Sequence, residues 1–262
     1  MQRKMVREKD RKNLHGRSDA DTGNETAAAL FYSRMTQGLS AAWPICAAYV
    51  PIGLAFGVSA QKIGLSPLEI GLMSLFVFAG SAQFIAVSMI GSGAGAASII
   101  LATFVVNLRH LLMSSALSIF LGKKRSAHPA LFAYGVTDES FAVNHHRFLT
   151  GNWDAFRALV VNHASNLAWI ASTVAGGLGG QFIAPGAFGL DYTLSAMFIG
   201  LIVLQVRRLL HVAVGAVAGA ASVALSFVLP GNWNIIAASV AAATAGAVIL
   251  GINGPFHRRR KA

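Results

Sequence analysis

Seven stretches of almost uninterrupted apolar residues punctuate the chain, at about 37–60, 67–90, 96–121, 157–179, 188–206, 209–229 and 234–252. Hydrophobicity sustained over about 20 residues is the pattern of a helix whose circumference meets an apolar medium, and each stretch can cross about 30 Å of hydrocarbon. The connections are short and built from helix-breaking residues: GLSP at 64–67, GSGAG at 91–95 and PGNWN at 230–234. Trp153 and Trp233 fall at span ends, where an indole sits among lipid headgroups. The pattern predicts an all-α, polytopic transmembrane helix bundle of about seven to eight membrane segments, at least one of them broken or re-entrant.

One segment leaves the number open. Residues 130–146 (ALFAYGVTDESFAVNHH) carry Asp138, Glu139, His145 and His146 inside an otherwise apolar stretch. They read as an eighth, polar-centred span, a re-entrant helix or a cytoplasmic amphipathic helix. Basic residues favour the cytoplasmic side, and the tail, Arg207, Arg208 and the C-terminus are all basic. With both ends inside, the crossings must be even, so seven segments are not enough. Eight crossings satisfy parity but put Lys123–Lys124–Arg125 outside. Keeping that cluster inside requires the first segment to enter and return, broken at Pro44 and Pro51. Eight crossings is the reading preferred from sequence.

Composition agrees with the pattern. Of 262 residues, 55% are hydrophobic and 12% charged, about half the charge of a soluble domain. The net charge of +11 suggests nucleic acid until its location is considered. Eight of 21 Lys and Arg lie in residues 1–34, and Arg258–Lys261 close the chain, so the charge marks membrane flanks and no nucleic acid is expected. Cys46 is the single cysteine, which excludes an intrachain disulfide and a Cys-rich metal site. No phosphate-binding Gly-rich loop with a Walker lysine occurs, and no cofactor or metal is expected.

The chemistry lies in polar groups placed where lipid alone would forbid them. Thr103, Asn107, His110, Ser114 and Ser118 follow at spacings of four, three, four and four, a single stripe on a helix. Such a stripe faces the bundle interior, either bonding neighbouring helices or lining a path. Arg109 points away from it on an unbroken helix, and a mid-span charge costs about 2.5–3.5 kcal/mol on insertion scales. Either the helix breaks near Asn107–His110, or Arg109 meets a carboxylate of the protein or of a ligand. Asp138 and Glu139 diverge by about 100° on a helix, so they are no catalytic carboxylate pair. Asp191 opens the 188–206 segment as a cap or a functional acid. Gly80 and Gln83 share one helical face, a gap beside an amide, and read equally as a substrate contact or a packing contact. Pro51, Gly53 and Gly57 read as a weakened helix or a simple kink.

These motifs together resemble a family. GLSPLEIGLMSLFVFAGSAQFIAV, NLRHLLMSSALS, TDESFAV and GLDYTLSAMFIGLIV, in that order, are similar to the AzlC/YgaZ family of branched-chain amino acid exporters, from about Leu39 to Leu250. The resemblance implies a large subunit that exports valine, leucine or isoleucine across the bacterial cytoplasmic (inner) membrane with a small AzlD/YgaH-type membrane protein. The positions it carries over are Pro51, Gly53, Gly57, Gly80, Gln83, Asn107, Arg109, His110, Asp138, Glu139 and Asp191. On that expectation residues 1–35 are a disordered basic cytoplasmic tail, 36–254 the transmembrane transport domain and 255–262 a basic cytoplasmic C-terminus. Arg109 would hold the amino-acid carboxylate and Asp138 or Glu139 the ammonium, with Gln83 and Asn107 completing the hydrogen bonds. His110, Asp138 and Glu139 would carry coupled protons. The alternatives are a carrier for another small amino acid or amine, and a non-transporting membrane assembly factor. An intramembrane hydrolase built on Ser81 with His110 or His163 lacks an oxyanion loop, and the expectation is that the chain is no enzyme.

Overall fold

The computed structural model describes residues 2–121, 128–151, 153–183, 209–229 and 233–253, with isolated positions between 192 and 206, and for residues 2–27 the backbone alone. Lys123–Arg125, Asp191, Arg207, Arg208, residues 255–262 and most of the expected 188–206 span lie outside the described residues. Among the described residues all regular structure is helical.

Helix α1 runs from Gln2 to Lys62. The irregular tail expected for 1–35 is helical in its backbone from Gln2, in keeping with its many Lys, Arg, Glu and Ala residues, all good helix formers. The helix also passes through Pro44 and Pro51, so the break expected at Pro51–Gly57 does not occur there. In hydrocarbon a helix is the way for a single segment to satisfy its own backbone, which outweighs the bond each proline removes. The glycines serve packing instead. A Cβ on Gly53 would run into Ser172, and one on Gly57 into the Thr173 carbonyl.

The break lies elsewhere. The 67–90 stretch divides into α2 (Pro67–Phe76) and α3 (Gly80–Gly91), parted at Val77–Ala79, where Ala79 takes φ −151°, ψ 85°. Ser66 caps α2, with Pro67 at its first position and Glu69 closing a capping box. Gly93, at φ 74°, makes the turn into α4 (Ala96–Ser118), which runs unbroken through Asn107–His110. The undecided 130–146 stretch is a second broken pair, α5 (His128–Tyr134) and α6 (Asp138–Thr150), interrupted at Gly135–Thr137. Helix α7 follows (Ala155–Gly179), then a 3-10 turn at Gly180–Phe182, α8 (Leu209–Ser226) and α9 (Trp233–Asn253).

Among the described residues three helices are long and apolar enough to cross a membrane by length and composition: Ala28–Lys62, Ala96–Ser118 and Leu209–Ser226. Helix α7 has the length, 25 residues, but carries Asn162, Ser165, Asn166, Ser172 and Thr173, all buried.

The chain forms two compact units, and α1, α4 and α7 each contribute to both. In the unit made of Met1–Ala47 and Met113–Leu167, Leu117, Phe132, Val136 and Ala158 form the core. Asp154 joins Arg157 and lies 3.5 Å from Arg34, while Arg157 Nε donates to Gln37 at 2.7 Å, fixing α1 to the start of α7. In the unit made of Ala48–Leu112 and Ala168–Ala262, the fully buried Phe56 packs edge-on to Phe84 at 5.1 Å and along the Trp169 indole at 6.0 Å. There α8 and α9 form a hairpin held by Asn234 Nδ2 donating to the Ser222 carbonyl at 3.0 Å.

Candidate functional site

The first helix break carries the chemistry in its unit. Helix α3 begins at Gly80, where a Cβ would stand 3.1 Å from the Trp169 indole, a tighter contact than usual. Trp169 Nε1 donates to Gln83 Oε1 at 2.8 Å, and Gln83 Nε2 donates to Ser74 Oγ at 3.1 Å. Ser74 in turn bonds Thr173 at 2.8 Å. Gln83 is fully buried with both ends of its amide engaged. In a medium without water a satisfied amide is a clasp, tying α2, α3 and α7 across the break.

The start of α3 is exceptional in another way. The N-termini of α2 and α6 are closed by reciprocal capping boxes, Ser66 with Glu69 and Thr137 with Ser140. At α3 the N-cap is Ala79 and no side chain caps the helix. Backbone N–H groups at a helix start carry partial positive charge and attract anions. Beside them, the half-buried Arg109 of α4 donates from Nη2 to the Ser81 hydroxyl. A bare helix start and a guanidinium thus meet at Ser81. The pairing also bears on the hydrolase reading, because a guanidinium cannot take a proton from a hydroxyl and so does not activate Ser81.

The stripe on α4 divides into two kinds of residue. Thr103 and Ser118 bond carbonyls of their own helix, Ile99 at 2.8 Å and Ser115 at 2.7 Å. Asn107 Oδ1 is buried with no hydrogen-bond partner among the described residues, an arrangement that costs about 1–3 kcal/mol unless something fills it. His110 and Ser114 are half-buried.

Asp138 and Glu139 belong to the other unit. They occupy the first turn of α6, next to the Thr137 cap, where carboxylates complement the positive helix end. Asp138 is half-buried and Glu139 exposed. This unit has an amide clasp of its own, which the sequence reading did not single out. Asn144 Oδ1 accepts from Trp153 Nε1 at 3.0 Å, Asn144 Nδ2 donates to Asn162 Oδ1 at 2.9 Å, and Asn162 Nδ2 donates to the Phe132 carbonyl at 3.1 Å. The signal was present on α7, whose polar residues at 162, 165, 166, 169, 172 and 173 recur at helical spacing. No group of three or more His, Cys, Asp or Glu that would hold a metal occurs among the described residues.

The AzlC protein family matches residues 44–183, which include both breaks and the Arg109–Ser81 contact. The chain is 28% identical to the branched-chain amino acid transport protein AzlC of Bacillus subtilis over 202 residues, 75% of this chain and 78% of that protein. It is 28% identical to the inner membrane protein YgaZ of Escherichia coli over 179 residues, 66% of this chain and 73% of that one. An uncharacterized membrane protein of Archaeoglobus fulgidus is 33% identical over 229 residues, covering 83% and 94%. No solved structure matches. A run of polar groups set in apolar helices, two interrupted segments and more than half the chain aligned with one family lead to one statement: this membrane protein belongs to the AzlC family, whose named relatives include a transport protein.

Proposed function

We propose that the chain exports branched-chain amino acids, and that the start of α3 receives the substrate carboxylate. The observation that carries this reading is the Arg109–Ser81 contact at a helix start without a side-chain cap. An anion placed there meets a guanidinium, a hydroxyl and backbone N–H groups, the combination that anionic ligands use at interrupted membrane helices. Asn107, two residues from Arg109 on the unbroken α4, lies on another face of that helix and is left out of this contact. Gln83, committed to its clasp, is left out of the substrate contacts. Valine, leucine or isoleucine as substrate follows the printed name of the Bacillus subtilis relative, carried to this chain as a proposal.

Coupling to protons supplies the driving force in this proposal, with His110, Asp138 and Glu139 as the proton-carrying groups. A small AzlD/YgaH-type membrane protein is the proposed partner, and the bacterial cytoplasmic membrane the location, with both termini inside. The test is efflux of labelled valine and leucine from proteoliposomes containing the chain, with and without the small subunit and a proton gradient. Efflux that needs the gradient and is lost in Arg109→Ala supports the reading. Equal efflux from Arg109→Ala and parent overturns the site, and no flux of any amino acid under any of these conditions overturns the function.

A further inference from the structure

In the unit made of Met1–Ala47 and Met113–Leu167, a short stretch of α7 grips the α5–α6 break. Asn162 Nδ2 donates to the Phe132 carbonyl at 3.1 Å, and the Asn162 Cβ lies 2.7 Å from where a Cβ on Gly135 would stand. One turn on, Asn166 Nδ2 donates to the Tyr134 hydroxyl at 3.3 Å. Tyr134 is the last residue of α5, so this bond pins its ring at the edge of the interruption. Between the two asparagines in sequence stands His163. Its imidazole stacks on the Tyr134 ring, with centroids 6.3 Å apart and planes 25° from parallel.

The polar groups that build this break are bonded, with one exception. Asn144 and Asn162 use both ends of their amides, and Thr137 and Ser140 close their capping box. His163 Nε2 is buried and has no hydrogen-bond partner among the described residues. No other buried side-chain nitrogen or oxygen described in this unit is left so. A purely structural role would be met by another amide, which bonds and does not titrate. An imidazole can instead take up a proton and give it back near neutral pH. Ionisable groups are rare in apolar helices because they are expensive there, and those retained mark proton or substrate paths.

We propose that His163 is a proton-binding residue of the α5–α6 break, and that the proton it takes from water at Nε2, and returns to water, is one that couples export to the gradient. The proposal rests on the proton-coupled export read above and adds a group that reading does not use. Neutral, the ring donates from one nitrogen and accepts at the other; charged, both nitrogens donate, so the bonding at the break changes with the proton. The remaining charged and titratable groups of the packed elements have other places. Arg34, Asp154 and Arg157 meet one another where α1 lies along the start of α7. On α6, Arg147 lies over the Trp153 ring, His145 stacks on Phe141 and His146 is exposed. Cys46 of α1 is beside Ser165. The acids of the break itself are Asp138 and Glu139, which open α6 and have the sign that favours a charged imidazole.

Two measurements test this. The first needs no substrate. The full chain, labelled with isotopic histidine, is held in lipid nanodiscs, and the His163 ring signals are assigned by their absence from His163→Gln. Titration of those signals between about pH 5 and 8 is expected. A ring that stays neutral, or stays charged, across that range overturns the proposal. The second is flux of labelled valine in proteoliposomes, taken both as efflux driven by a proton gradient and as exchange between equal valine on the two sides without one. His163→Gln is expected to lower the ratio of driven efflux to exchange at least about tenfold, whereas Arg109→Ala lowers both alike. His163→Asn, which also cannot titrate, repeats the measurement should the glutamine variant fail to fold. Both fluxes kept, or both lost together, in the His163 variants overturns the coupling role. A parent that moves no amino acid overturns the proposed function and the coupling role with it, while the titration still decides whether His163 binds a proton.

Discussion

The two helix breaks use one construction and finish it differently. Each joins a short helix to a longer one, and each is spanned by an amide that accepts from an indole, Gln83 from Trp169 in one unit and Asn144 from Trp153 in the other. At α6 the chain closes its own helix start with Thr137 and Ser140, and two carboxylates occupy the first turn. At α3 the helix start has no side-chain cap, and a guanidinium stands beside it. A capped start with acids in its first turn repels anions, whereas a bare start beside Arg109 attracts them. The clasps hold the interruptions in place, and the difference in capping assigns the anion to one of them.

Breaking the comparison at its charged end has the largest expected effect. Arg109→Ala should lower amino-acid efflux at least about 100-fold, equivalent to about 2.7 kcal/mol, with protein yield in the membrane unchanged; efflux within threefold of the parent would place the anion elsewhere. Removing the clasps should reduce stability rather than selectivity. Gln83→Leu strands the Trp169 indole and Ser74, and Asn144→Leu strands Trp153 and Asn162, each costing about 1–3 kcal/mol. Thermal unfolding in detergent measures this, and a Gln83→Leu protein as stable as the parent but with altered substrate preference would return Gln83 to the binding site. Ser81→Ala, which removes the hydroxyl that Arg109 bonds while keeping the charge, should weaken efflux about tenfold, or about 1.4 kcal/mol, seen as a raised half-saturating substrate concentration. Smallest of all, Thr137→Ala should cost about 1 kcal/mol of stability through loss of a cap. The equivalent change at α3, Ala79→Ser, should add a cap and compete with the substrate, so efflux falls as stability rises.

The all-α membrane class was legible because lipid imposes one requirement along the whole circumference of a helix, and that requirement is written into composition. The interruption at Val77–Ala79 was not, since FVFAGSAQF contains no proline and its residues suit an unbroken helix. The amide that spans it bonds Trp169, 86 residues further on from Gln83, and local propensity carries no information about such a partner. Pro51 misled in the opposite sense: a proline that breaks a helix in water is held straight where α7 packs against Gly53 and Gly57. For the site, Arg109 stood out as a charge in an apolar span, but its meeting with Ser81 depends on the break and so could not be read beforehand. The polar spacing on α7 matched that on α4 in regularity, yet its residues are ordinary amides and hydroxyls, and only burial and hydrogen bonding show the packing role they have within each unit.

The seam between α1 and α7 also has a consequence for biosynthesis. Helices α1 and α2 leave the ribosome long before α7, since Gln37 and Arg157 are 120 residues apart and Ser74 and Thr173 are 99 apart. At about 5–20 residues per second the wait is about ten seconds. Throughout it, Gln83 and Ser74 lie in the bilayer or its entry channel without Trp169 and Thr173. The interrupted pair therefore reaches its final form only when α7 arrives, and a ribosome stalled before Trp169 should leave α2 and α3 open to proteases that the finished protein resists.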